Sequence, residues 1–174
     1  YWVPRFTETA RPAFEPLAAE FRGLLRDAVA AQLDGSKPAC FLSGGTDSST
    51  VAGMIGEAAG TPAATYSIGF EAEGYDEMAF ARIAAKRFGC EHHEYYVTPD
   101  DLVRGIPAVA AHYDQPFGNS SVLPAFYCAQ MAKADGVSKL LAGDGGDEFF
   151  GGNTRYAKQR IFGWYDGVPA ALRK

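Results

Sequence analysis

Two kinds of apolar pattern alternate along the chain. Segments with apolar residues at helical spacing are followed by short continuous apolar runs, which are typical of buried strands. Apolar residues recur at helical spacing over 17–33, and Pro16 suits the first turn of that helix. The apolar stretch 39–42, bounded by Pro38 and Gly44, predicts a short buried strand. The same signals predict further strands at 63–70, 93–97 and 138–141, and further helices at 48–59, 76–88, 99–113 and 122–134.

Strands that alternate with helices predict an α/β fold, with a parallel β-sheet sandwiched by helices. In such sheets ligands bind at the carboxyl ends of the strands. Two loops rich in glycine and aspartate, 43–48 and 142–148, each follow a predicted strand directly, so we expect both at that edge. The length of 174 residues suits one domain, which we place at 15–174 after an irregular lead-in over 1–14.

The composition narrows the class of protein. Hydrophobic residues make up 47% and charged residues 21%, with a net charge of −5, which indicates a soluble globular protein that binds neither nucleic acid nor an acidic membrane. The sequence contains no run of about 18 apolar residues, so it predicts no membrane span. The odd number of cysteines (Cys40, Cys90 and Cys128), their apolar surroundings and the lack of a C-x-x-C pair predict reduced core thiols in a cytoplasmic protein.

The segment 43–49, SGGTDSS, joins a predicted strand to a predicted helix. Gly44 and Gly45 let the backbone approach a ligand closely and adopt positive φ. The first N–H groups of the helix point into the loop, and hydroxyl donors are added by Ser43, Thr46, Ser48 and Ser49. Together these features predict an anion site.

This loop differs from the common nucleotide-binding loops. Neither G-x-x-x-x-G-K-[ST] nor G-x-G-x-x-G occurs, and the loop carries Asp47 where a kinase-type loop would carry a cation. An acid beside a phosphate site is stabilising if Mg²⁺ lies between them. The loop therefore favours magnesium pyrophosphate or a magnesium nucleotide, and a serine cap on a glycine-rich turn is the alternative without a ligand.

SGGTDSS resembles the PP-loop of the N-type ATP pyrophosphatases, which cleave ATP between the α and β phosphates. Five further segments are similar to the synthetase domain of glutamine-hydrolysing asparagine synthetases: YSIGFE (66–71), YDE (75–77), CEHHEYYVTPDD (90–101), DQPFGNSSVLP (114–124) and LLAGDGGDEFFGG (140–152). The similarity runs in order from about residue 15 to about residue 165. It implies an adenine nucleotide alpha-hydrolase-like fold that uses ATP and Mg²⁺.

The resemblance also implies roles for particular residues. Contacts to ATP fall on Leu42, Ser43, Gly44, Gly45, Thr46, Asp47, Ser48 and Ser49. The adenine contact falls on the backbone of Ile68, and further nucleotide contacts fall on Ala142 and Gly143. Catalytic roles fall on Asp47 and on Asp144, a position where many members have glutamate and which is associated with forming β-aspartyl-AMP. The implied Mg²⁺ ligands are Asp47 and Asp147.

The implied reaction has two stages. The side-chain carboxylate of aspartate attacks the α-phosphorus and releases pyrophosphate, and ammonia then displaces AMP to give asparagine. The glutaminase domain that supplies ammonia and the later part of the synthetase domain, with its lysine, are expected outside this chain. Two alternatives stay open: the same chemistry on another carboxylate, and a non-catalytic nucleotide-binding module. A homodimer also stays open as an oligomeric state.

Three other features have competing interpretations. GDGGDE is not an EF-hand, because the twelfth position from Asp144 is arginine rather than glutamate; a plain glycine-rich turn is the other alternative. The adjacent His92 and His93 would point to opposite faces of a strand, so we expect a structural role rather than one shared metal ion. Weak candidates for contacting aspartate or AMP, with turn and helix-cap chemistry as the alternative, are Asp114, Asn119 and Ser120.

Overall fold

A computed structural model describes residues 13–71, 76–116, 118 and 121–152, together with 3, 5, 156, 158, 163–165 and 167–169. The elements are α1 (Phe14–Ala30), β1 (Ala39–Phe41), α2 (Thr46–Ala59), β2 (Ala64–Phe70), α3 (Met78–Phe88), β3 (Glu91–Val97), α4 (Pro99–His112), α5 (Val122–Ala134) and α6 (Gly146–Phe150). The chain divides into two compact units, Tyr1–Ala142 and Gly143–Lys174, and most of the predicted lead-in lies outside the described residues. Over the part of the chain that the structure describes, no helix is both long and apolar enough to cross a membrane.

The first unit contains a parallel sheet with the strand order β1-β2-β3. The predicted fourth strand at 138–141 is wrong in extent, because it forms one isolated parallel bridge between Leu141 and Cys40. Two hydrogen bonds make this bridge, from Phe41 N–H to the Leu141 carbonyl (3.0 Å) and from Leu141 N–H to the Ala39 carbonyl (2.9 Å). The strand β1, which 138–141 would join, has only three residues.

Helices cover both faces of this sheet, as the alternating pattern predicts. On one face Cys40 and Leu42 pack with Ile55 of α2 and Ala81 of α3. On the other face Ala39, Ala64 and Tyr66 pack with Cys128 and Ala132 of α5. The alternation of neighbouring side chains between the two clusters is what a strand buried on both sides requires.

The helix ends follow local signals in the sequence. Both α2 and α3 end at a glycine in the left-handed conformation, Gly60 (φ 68°) and Gly89 (φ 66°). The helix α4 begins at Pro99 after the N-cap Thr98, with a capping box in which Asp101 is the reciprocal partner. The helix α1 ends at Ala30 rather than at residue 33, and none of its residues is buried.

The paired histidines have the structural role that the sequence predicts. His92 Nδ1 lies 2.9 Å from the Thr65 hydroxyl, whereas His93 stacks on Tyr66 at 4.8 Å between ring centroids. Since Thr65 and Tyr66 are successive residues of β2, the two imidazoles lie on opposite faces of the sheet.

All three cysteines are free thiols, as expected from their number and surroundings. Cys40 and Cys128 are buried, and Cys90 is half-buried. Burial raises the pKa of both Cys40 and Cys128 to about 12, so these thiols remain neutral at physiological pH.

Candidate functional site at the carboxyl end of the sheet

The loop between β1 and α2 is the centre of the candidate site. Leu42 is buried, and the chain then turns through exposed Ser43 and Gly45 into the first helical residue, Thr46. Gly45 is the N-cap, and no side chain within the described residues caps this helix end. The N–H groups of the first turn therefore remain available to an anion at the carboxyl edge of the sheet.

Hydroxyl groups hold this loop in shape. Ser43 N–H donates to Ser48 Oγ at 3.1 Å, and the hydroxyl oxygens of the two serines lie 3.0 Å apart. Gly45 N–H in turn donates to Ser43 Oγ at 3.3 Å. Two of the hydroxyls that the sequence predicts to be ligand donors thus also have a structural task within the loop.

Ser49 differs from the other hydroxyl residues of the loop. Its Oγ is buried and has no hydrogen-bond partner among the described residues. Buried hydroxyls are normally hydrogen-bonded, because an unpaired one costs free energy. Within the described part of the chain, the Ser49 hydroxyl therefore lacks the partner that a buried hydroxyl normally has.

Gly44 allows the loop to approach helix α3. Its φ is +84°, and a Cβ atom placed there would lie 2.4 Å from the Phe80 carbonyl carbon and 2.4 Å from the Ala81 nitrogen. Both atoms belong to backbone, which cannot be displaced as the end of a side chain can. Glycine is therefore required here both for conformation and for space.

A cavity of about 240 Å³ lies beside the loop. It is bordered by four residues to which the family resemblance assigns ATP contacts: Leu42, Ser43, Ser48 and Ile68. The remaining lining comes from β1, β2, α3 and α5, and includes Ser67, Glu77, Met78, Pro124, Ala125 and Cys128. The wall is mainly apolar, which suits the face of a heterocyclic base more than a free phosphate.

Sequence reasoning missed the contributors to this wall that lie far from the glycine-rich loop. One available signal was Ser67, because a serine within the otherwise apolar strand AATYSIGF is unexpected unless its hydroxyl has a defined partner. The α5 residues gave no comparable signal, since alanine, proline and cysteine are ordinary packing residues.

Asp47 lies in the first turn of α2 and is half-buried. Its position suits the positive end of the helix macrodipole. Magnesium bound by one or two carboxylates together with substrate phosphates needs no preformed protein cage. Within the described ranges, no group of three or more His, Cys, Asp or Glu residues that could hold a metal occurs. The oxygen-rich donor set at the loop therefore fits a magnesium-phosphate ligand.

The second acidic loop belongs mainly to the second unit. Ala142 is the last residue of the first unit, and Gly143 begins the second. Asp144 is exposed, while Asp147 is half-buried in the first turn of α6. That Asp47 and Asp147 bind one magnesium ion stays a prediction.

Gly152 makes room for the carboxylate of Asp147. A Cβ atom at this glycine would lie 2.6 Å from Asp147 Oδ1, and its φ is +124°. Gly151 N–H also donates to the Asp147 carbonyl at 3.0 Å. The glycine pair that follows EFF is thus adapted to the aspartate, a relation that the sequence analysis did not identify.

The three weak candidates for contacting aspartate or AMP differ in what the structure describes. Asp114 is exposed and borders a separate cavity of about 450 Å³ formed with α4 and α5. Asn119 and Ser120 lie outside the described residues. Ser121 occupies the N-cap position of α5 but makes no side-chain capping hydrogen bond.

The fold and the loop together define a class, namely an α/β protein whose glycine- and hydroxyl-rich loop opens at the carboxyl edge of a parallel sheet. The asparagine synthase family model matches residues 20–174. The chain therefore belongs to the asparagine synthase family, and with the parallel sheet this confirms the fold class expected from the sequence.

Several named proteins are similar to this chain. It is 41% identical over 159 residues to the putative glutamine-hydrolyzing asparagine synthetase 2 of Methanocaldococcus jannaschii, covering 90% of this chain and 30% of the relative. It is 30% identical over 161 residues to glutamine-hydrolyzing asparagine synthetase 1 of Bacillus subtilis, covering 92% of this chain and 25% of the relative. The chain thus spans between about a quarter and a third of the length of these curated relatives.

Among solved structures, the chain is similar to NMN synthetase from Francisella tularensis. The TM-score is 0.47 at 17% sequence identity, over 70% of this chain and 52% of that chain.

Proposed function

We propose that this chain is the ATP-binding and carboxylate-activating part of an ATP-dependent amide-forming ligase, acting on the side chain of aspartate. The observation that carries the proposal is the loop after β1, where a helix N-terminus without a side-chain cap lies next to an apolar cavity that Ser43 and Ser48 border. Membership of the asparagine synthase family supports the same chemistry.

In this proposal the nucleotide extends from the cavity to the loop. The adenine base packs against the apolar wall of the cavity near Ile68, and the phosphates lie against the N–H groups at the start of α2. Leu42 and the residues from 43 to 49 contact ATP, and Ala142 and Gly143 add contacts from the second acidic loop. Asp47 and Asp147 are the proposed magnesium ligands, with Asp144 acting in the activation step.

The proposed chemistry begins with attack of the aspartate carboxylate on the α-phosphorus, which forms β-aspartyl-AMP and releases pyrophosphate. The loop N–H groups stabilise the negative charge of the leaving pyrophosphate. Magnesium would neutralise part of that same charge. Ammonia, from a glutaminase domain outside this chain, then displaces AMP and forms the amide.

The test measures pyrophosphate and AMP release by the intact protein with ATP, Mg²⁺, ammonia and aspartate. Asp47→Ala is expected to reduce pyrophosphate release on the order of 100-fold, the effect of removing one electrostatic stabiliser of a developing charge. Asp27→Ala is the matched control, because Asp27 is an exposed carboxylate on α1 that pairs with its neighbour Arg26. Unchanged pyrophosphate release in Asp47→Ala would contradict the assignment of Asp47.

Replacing aspartate by other carboxylates tests the acceptor separately. Release of pyrophosphate with another carboxylate but not with aspartate would keep the ligase chemistry and change the substrate. Retained ATP binding with neither AMP nor pyrophosphate formed, for any acceptor, would instead indicate a non-catalytic nucleotide-binding module.

A further inference from the structure

We infer that Ser67 is a positioning residue for the phosphate loop, acting through the peptide unit that joins Leu42 to Ser43. The inference rests on the proposed function, since it concerns how the proposed ATP loop acquires its shape. Ser67 lies on β2 and is only 3% exposed to solvent, so its hydroxyl is surrounded by protein atoms.

The Leu42–Ser43 peptide unit is held at both of its polar ends by serine side chains. Its carbonyl, that of Leu42, accepts a hydrogen bond from the Ser67 hydroxyl. Its N–H, that of Ser43, donates to Ser48 Oγ at 3.1 Å. Because a peptide unit is planar, fixing the direction of both groups fixes the rotation of the whole unit.

This peptide unit lies where the regular ladder of the sheet gives way to the loop. Leu42 N–H still donates to the Tyr66 carbonyl at 3.0 Å, one residue beyond the end of β1. The Leu42 carbonyl, in contrast, is bonded by a side chain of β2. Ser67 therefore sets the direction in which the chain leaves the strand.

The orientation of this unit is passed on to the start of α2. Ser48, which accepts from Ser43 N–H, lies in the first turn of that helix, and its hydroxyl also lies 3.0 Å from Ser43 Oγ. Ser43 Oγ in turn accepts from the N-cap residue Gly45. Rotation of the 42–43 unit would break the bond to Ser48 and alter the spacing of the anion-binding groups.

The strand offers a matched control two residues earlier. Thr65 is also a buried β2 residue, and its hydroxyl bonds His92 Nδ1 at 2.9 Å on the neighbouring strand. Thr65→Val and Ser67→Ala each remove one buried hydroxyl from β2, but only Ser67 bonds the loop. Ser67→Thr keeps the hydroxyl and serves as the conservative variant.

The first experiment measures ATP affinity in the presence of Mg²⁺ by calorimetry on the intact protein. Ser67→Ala is expected to weaken binding about tenfold, the scale of one lost hydrogen bond whose acceptor stays buried. Thr65→Val is expected to stay within about twofold of the unmodified protein, because Thr65 neither bonds the loop nor lines the cavity. The KM for ATP is expected to rise with the dissociation constant in Ser67→Ala.

The second experiment needs no ligand and follows amide hydrogen exchange of the segment 42–49. Ser67→Ala is expected to accelerate exchange in this segment about tenfold, because Ser43 N–H loses its fixed acceptor geometry. Thr65→Val is expected to leave the exchange of the segment unchanged.

Either experiment can overturn the inference. Equal ATP affinity in Ser67→Ala and the unmodified protein would refute it, as would an equal loss in Thr65→Val. Exchange of the segment 42–49 in Ser67→Thr, which keeps the hydroxyl, should stay at the unmodified rate, and exchange as fast as in Ser67→Ala would also refute the inference. If the unmodified protein binds no ATP, the proposed function fails, and the exchange experiment alone then decides whether Ser67 holds the loop.

Discussion

Gly44 combines the strictest conformational and spatial requirements of the loop at a single residue. Alanine there would adopt φ +84°, at a cost of about 1–2 kcal/mol, and would overlap the backbone of Phe80 and Ala81, at about 1–3 kcal/mol more. We expect Gly44→Ala to lower the free energy of unfolding by about 2–5 kcal/mol in urea denaturation.

Gly56→Ala is the control for this substitution. Gly56 lies inside α2 and a Cβ there would meet no atom within 4 Å, so alanine should stabilise the protein by about 0.5–1 kcal/mol. Similar unfolding free energies for the two variants would show that the approach of the loop to α3 is not tight.

At the residue scale the sequence located the glycine- and hydroxyl-rich loop but not the residues that support its shape. Gly44, Asp47 and the serines could be recognised because they adjoin one another between a strand and a helix. Ser67 and Gly152 could not be assigned in the same way. Ser67 meets its partner only when β1 and β2 pair, and Gly152 depends on the local fold around Asp147.

At the start of helix α4, the carboxylate of Asp101 accepts four hydrogen bonds. Asp101 Oδ2 accepts hydrogen bonds from Thr98 N–H (2.9 Å), the Thr98 hydroxyl (2.7 Å) and the Tyr95 hydroxyl (2.9 Å), and Oδ1 accepts from Arg104 (2.6 Å). The Thr98 backbone and hydroxyl, and then the Arg104 guanidinium, hold the pKa of Asp101 well below its ordinary value.

This lowered pKa predicts a pH dependence of stability. The carboxylate stabilises the folded protein above the unfolded-state pKa of about 3.9, and this contribution is lost as the pH falls through the lower folded-state pKa. We expect Asp101→Asn to be less stable than the unmodified protein at pH 7 and to lose less stability between about pH 4 and pH 2. Urea denaturation at a series of pH values measures both effects.

Asp100→Asn provides the comparison, since Asp100 is exposed in the same first turn of α4. It is expected to change stability at pH 7 less than Asp101→Asn does. If Asp101→Asn kept the full acid dependence of the unmodified protein, the hydrogen bonds to Asp101 would not be its source.

At the element scale the predicted types were correct for β1 to β3 and α1 to α5, and the differences have identifiable causes. The predicted strand at 138–141 meets a partner, β1, that is only three residues long. The spacing of apolar residues in α1 predicted a helix, but it did not predict that large apolar side chains of this helix are exposed. Phe14 and Leu24 are 77% and 63% exposed in the structure.

At the scale of the whole molecule, the alternation of strands and helices was sufficient to predict a parallel sheet with helices on both faces. The order β1-β2-β3 and the contribution of α5 to the cavity wall depend on tertiary packing, which the alternation does not specify. The sequence does not identify the acceptor carboxylate, because family membership describes a shared fold and chemistry rather than one substrate.

Binding of the proposed ligand should stabilise the folded protein as a whole. A ligand that binds the folded state alone adds about 2.7 kcal/mol at a free concentration 100 times its dissociation constant. We therefore expect ATP with Mg²⁺ to raise the thermal transition of the intact protein, and EDTA to remove most of that increase, because magnesium neutralises charge between the phosphates and Asp47. Asp47→Asn should show a smaller increase than the control Asp27→Asn, whose side chain is exposed on α1. An increase that persists in EDTA, or that is equal in the two variants, would show that the nucleotide binds without a magnesium ion held by Asp47.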